Sequence, residues 1–107
     1  MARYLVLWRW NTAAQYPTDL SELVKLSENM AAAVDDLIKT GEIEEIGFFP
    51  DGGSAYAICK GEATDIWKIS NVFHSYMVSE VHEIIPWEKV KEITVVRGRA
   101  MLEEAKK

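Results

Sequence analysis

The chain reads as one α+β domain, residues 1–107, in the order β-α-β-β-α-β with a further helix at its C-terminus. Three observations predict it. The chain opens on the aromatic and aliphatic run YLVLWRW. A long stretch with apolar residues three and four apart follows and stops at Gly41. Two short apolar runs then flank the turn Pro50-Asp51-Gly52-Gly53-Ser54. The core is expected over 3–86, and 87–107 as a helical extension.

Residues 4–10 suit a strand in length and in their aromatic and β-branched content. One face would carry Tyr4, Val6, Trp8 and Trp10, the other Leu5, Leu7 and Arg9. Residues 11–17 connect to a helix. Asp19 and Glu22 have capping-box spacing there, with Thr18 as the competing cap. Leu20, Leu23, Val24, Met30, Val34, Leu37 and Ile38 make one apolar helix face. Gly41 supplies the left-handed stop.

Residues 43–49 and 55–60 read as a hairpin around the Asp-Gly-Gly turn. A second helix starts at 62–65 and runs to about Phe73, with Ile66, Ile69, Val72 and Phe73 apolar. Residues 78–85 form the fourth strand, closed by Pro86. From Trp87 a helix is expected, with Glu88 and Glu92 near its start and Lys106 and Lys107 at its end. The β-branched run 93–96 and Gly98 keep a short strand open as the alternative.

The composition, 49% hydrophobic and 27% charged, is that of a folded protein. A net charge of -5 argues against a nucleic-acid partner, because such binding rests on Lys and Arg at phosphates. An RNA-binding domain with the same element order would also need a basic-aromatic strand pattern that is absent. The single cysteine, Cys59, rules out an internal disulfide framework and a cysteine-based zinc site. The N-terminus lacks a signal-peptide pattern, and no apolar run approaches the ~20 residues that cross a bilayer. A cytoplasmic protein without a membrane partner is expected.

A four-stranded antiparallel sheet with both helices on one face leaves the other face open. These strands are too apolar to leave that face wet, so a second copy packed sheet to sheet is expected to cover it. The opening YLVLWRW, the hairpin GFFPDGGSAYAI, and Tyr76-Met77 followed by Ser79-Glu80-Val81-His82 resemble the dimeric α+β barrel superfamily. The likeness covers roughly 3–86. It points to small proteins similar to muconolactone isomerase and to an uncharacterised bacterial and archaeal family of similar length. It implies a ferredoxin-like β-α-β-β-α-β sheet, paired as a homodimeric barrel, with a small-molecule ligand.

In the register that this resemblance implies, Leu5, Leu7, Arg9, Glu80, His82 and Ile84 face the barrel. Arg9, Glu80 and His82 are the candidate catalytic residues. An Arg binds a carboxylate in bidentate fashion, and a His beside a Glu can move a proton near neutral pH. The competing reading is an ion-pair network that only sets register. No cofactor and no metal are expected. No nucleotide, zinc-protease or serine-hydrolase motif occurs in the sequence.

The other chemistry-bearing residues have plain structural readings. His74 suits a helix C-terminus, and Cys59 a buried small hydrophobe. Glu42, Glu44 and Glu45 suit a solvated strand edge. Trp8, Trp10, Phe48, Phe49 and Trp87 are expected in core and dimer packing. Asn11, Trp67 and His74 resemble the Asn-Trp-His set of haem-degrading monooxygenases in that superfamily, but there the Trp comes from a strand.

The expected function is therefore binding or isomerisation of a small carboxylate or aromatic molecule in the barrel cavity. A non-enzymatic regulatory or oligomerisation module is the alternative.

Overall fold

The computed structural model describes residues 2–73 and 76–106. Its elements run β1 (Arg3–Trp10), α1 (Leu20–Lys39), β2 (Ile43–Phe48), β3 (Ser54–Lys60), α2 (Ala63–Ser70), β4 (Met77–Ile84) and α3 (Trp87–Ala105). This is an α+β fold with one four-stranded sheet in the order β2-β3-β1-β4. Every neighbouring pair is antiparallel.

Local chemistry accounts for the boundaries. Asp19 caps α1, its side chain accepting from the Ser21 amide at 3.4 Å. Glu62 and Asp65 form a reciprocal capping box at α2. In the β2–β3 turn, Asp51 Oδ1 accepts from the amides of Gly53 (2.8 Å) and Ser54 (3.2 Å). Gly52 takes φ +75 there, a region costly for residues with a Cβ. These hydrogen bonds hold the Asp51 carboxyl below its usual pKa, the Gly53 amide contributing most.

The register assigns the faces, because residues directly opposite across a strand pair project to the same side. Val6 and Trp8 share a face with Ala55, Ala57 and Cys59, and this face holds the core. Ile66, Ile69 and Phe73 close it from above, with Ile43 and Met77 at its margins. Trp8 is its largest member. Its Nε1 donates to the Ser70 carbonyl at 3.0 Å, and its ring meets Phe73 edge to face at 5.1 Å. The small side chains of β3 leave the room that this indole takes.

The two helices do not cover this face equally. Ile66, Ile69 and Ser70 of α2 are buried, whereas no residue of α1 is. Met30, Val34 and Leu37 of α1 pack half-buried against the core. The helix stands off β2 enough to leave an apolar cleft of about 420 Å³.

The extension is helical throughout, so the strand alternative at 93–96 is not adopted. It also has no buried residue, although Trp87, Ile93, Val96 and Met101 are large and apolar. The molecule measures 73 × 29 × 24 Å with a radius of gyration of 19.5 Å. A packed domain of this length would have a radius near ~13 Å. α3 therefore projects from the domain.

Of the five aromatics assigned to packing, only Trp8 is in the core of the chain; Trp10, Phe48, Phe49 and Trp87 are all exposed. A bulge between Ile43 and Glu45 turns Glu44 and Glu45 to the face opposite the core. Glu44 pairs there with Arg3 at 2.8 Å, and Glu45 accepts from the Tyr56 hydroxyl at 2.6 Å. The acidic stretch is thus engaged in specific contacts rather than merely solvated. Gly47 lies opposite Tyr56, where an added Cβ would come within 2.7 Å of the ring.

Candidate functional site

The sheet face away from the core has an apolar centre and a charged margin. Leu5, Leu7, Tyr56 and Ile58 sit half-buried on the two central strands. Glu44 and Glu45 line the β2 edge, Glu80 and His82 the β4 edge, and Arg3, Arg9 and Lys60 the strand ends. An apolar middle ringed by polar groups is the usual layout of a protein interface.

The three candidate residues come from adjacent strands. Leu7 lies opposite Glu80 and Leu5 opposite His82, while Arg9 lies opposite Val78, diagonal to Glu80. Two residues apart on one strand, Glu80 and His82 project to the same side. His82 Nε2 is 2.7 Å from Glu80 Oε2. The hydrogen bond from His82 is the largest cause of a lowered Glu80 pKa; the charge of His82 and then that of Arg9 act in the same direction. An ionised carboxylate can only accept, so Nε2 donates in this bond, and in a neutral imidazole Nδ1 is then the nitrogen with a free lone pair. Both side chains are more than half exposed, at 55% and 57%.

A hollow of about 250 Å³ opens on this face beside Arg9 and Glu80, walled by Leu7, Phe49, Ser54 and Val78. His82 is not in its wall. It lies one step farther along β4, reached through Glu80.

The larger cleft is on the other face, between α1 and the sheet. Trp10, Met30, Val34, Ile38, Phe48 and Met77 line it, and among the described residues Asp35 is its only ionisable group. Sequence reasoning missed it as a unit. Each lining residue carried an apolar signal, but the distance at which α1 stands off the sheet has no signature in spacing.

Cys59 and Tyr56 fall on opposite faces of β3. Cys59 is fully buried, and burial pushes its thiol pKa from 9.0 up to about 11. A raised folded-state pKa means that the neutral thiol is favoured by folding. That contribution is complete below the unfolded value and is lost as pH rises through about 11. At pH 8, labelling of Cys59 by a disulfide reagent is expected to run roughly a hundredfold slower in the native protein than in urea. Equal rates would contradict the burial.

His74 lies outside the described residues. Trp67 is 69% exposed on α2.

Fold and site together define an α+β protein with one antiparallel sheet, whose face away from the core is apolar at its centre and charged at its margin. No protein-family model matches the chain, and no curated protein matches it. Among the described residues, no helix is long and apolar enough to cross a membrane.

Proposed function

We propose that this chain is one half of a homodimeric α+β barrel of ferredoxin-like type that binds a small aromatic or aliphatic carboxylate between its two sheets. The observation that carries this reading is the open sheet face: an apolar centre, a charged margin, and a hollow walled by Arg9 and Glu80. The element order and the placing of β1 between β3 and β4 support the architecture.

In this reading Arg9 pairs with the ligand carboxylate, and Phe49 and Leu7 contact its apolar part. His82 Nδ1 takes a proton from a carbon next to a carbonyl and returns it to another carbon of the same molecule. Glu80 holds the imidazole in the required tautomer and stabilises the transient imidazolium. Such an isomerisation consumes nothing else.

The exposure of the Glu80–His82 pair favours a second reading, a dimerisation module whose charged margin sets register only. Titration with benzoate, followed by amide NMR, separates the two. The first reading expects saturable shifts at Leu7, Arg9 and Val78 that vanish in Arg9→Gln. A dimer that shows no saturable shifts with benzoate or short aliphatic carboxylates would leave only the module.

A further inference from the structure

We propose that α3 is an exchanged arm, whose apolar stripe seats in the cleft beside α1 of a second copy, with Arg97 against that copy's Asp35. The inference rests on pairing of two copies and not on ligand binding.

The first argument comes from the helix itself. α3 contains the β-branched run Ile93-Thr94-Val95-Val96 and then Gly98, a composition with poor intrinsic helix propensity. A helix of 19 residues with such a composition draws its stability from packing rather than from propensity. Yet none of its residues is buried against its own domain. Val90, Ile93, Val96, Ala100 and Met101 recur at helical spacing on one side, which Glu104 shares; Glu92 and Glu103 flank it, and Glu88, Arg99 and the exposed Val95 and Leu102 lie behind. The helix is built to lie on a surface that its own chain does not supply.

The second argument is reach. The cleft lies at the end of the sheet where Trp10 finishes β1 and Met77 begins β4. β4 then runs to Ile84, opposite Arg3, so α3 departs from the far end. The 73 Å length of the molecule, with no residue of α3 buried, shows the helix extending beyond the sheet rather than packing back along it. A twofold axis across the strands would bring the far end of one sheet beside the cleft end of the other. The arm then reaches the partner's cleft and cannot reach its own.

The third argument is chemical fit. The cleft is apolar, its rim residues Trp10, Ile38 and Phe48 are exposed, and among the described residues its single ionisable group is Asp35. The side of α3 that bears Ile93, Val96 and Ala100 also bears Lys89 and Arg97, with Glu92 at its edge. An apolar stripe with two cations and an acidic edge thus meets an apolar cleft that carries Asp35.

The test is a charge swap in the full chain. Arg97→Glu and Asp35→Lys are each expected to raise the dimer dissociation constant about tenfold by sedimentation, and the double variant to restore it. Both positions are exposed and have no role in the core, so folding should persist by circular dichroism. In a second arm, Asp35→Cys/Arg97→Cys should oxidise to a covalent dimer. No restoration in the double variant, or covalent linkage with Arg97→Cys alone (α3 paired with α3), would overturn the proposal. A dimer sensitive to the swap but blind to benzoate would sink the ligand reading and leave the arm intact. Benzoate binding without sensitivity to the swap would do the reverse.

Discussion

Trp8→Ala should destabilise the domain by about 3–5 kcal/mol, the usual cost of removing a large aromatic from a packed core. Trp8 is 2% exposed and central to the buried cluster. Its replacement opens a cavity among Ala55, Ala57 and Phe73. It also removes the only side-chain hydrogen bond between β1 and α2 among the described residues, from Nε1 to the Ser70 carbonyl, and the edge-to-face contact with Phe73. Small domains are held by only ~5–15 kcal/mol in total, so much of the folded population is at stake. Trp8→Phe should cost less, since it keeps the aromatic ring and gives up chiefly the hydrogen bond. Urea unfolding of the three proteins checks this ordering. Equal midpoints for Trp8→Ala and the unaltered protein would place the core elsewhere.

For the proposed dimer, Leu7→Asp should raise the dissociation constant roughly a hundredfold to a thousandfold while leaving the monomer folded. Leu7 is half-buried at the middle of the open face, opposite Tyr56 on one side and Glu80 on the other. The buried cluster lies on the reverse side of the sheet, so the core loses nothing. In a face-to-face pair the substitution sets two carboxylates near the twofold axis and beside Glu80. Desolvating unpaired charge and opposing like charges costs several kcal/mol. Sedimentation at several concentrations reads the shift, with circular dichroism as the control for folding. A dimer of undiminished strength would show that the copies meet through another surface.

How much of this was legible in the residues differs from element to element. Asp19, the Glu62/Asp65 box, the Asp51 turn and Gly41 act within a few residues of themselves, and each boundary they imply occurs within about two residues of its place. The tail was harder. Its β-branched run opposes helix formation locally, and only the observed helix, alone and projecting, reveals that its apolar side awaits a surface. Alternation along β1 separated Leu7 and Arg9 from Trp8, because neighbours on a strand must point apart. It could not say that Phe48 and Trp10 would stay exposed, which depends on where α1 comes to rest.

The candidate site divides the same way. That Glu80 and His82 share a side follows from their spacing of two, and Arg9 joins them once β1 and β4 are neighbours. The bulge at Ile43/Glu45 had no signal in spacing, yet it turned Glu44 and Glu45 onto that same face beside Arg3 and Tyr56. By itself, the sequence determined the β-α-β-β-α-β order, since turns, caps and periodicity are short-range properties of the chain; the helix at its end was decided by the structure. Only the tertiary structure decided the cleft under α1, the outward course of α3 and the 2.7 Å Glu80–His82 bond. These depend on distances between segments far apart in sequence, set by how side chains fill the space between them.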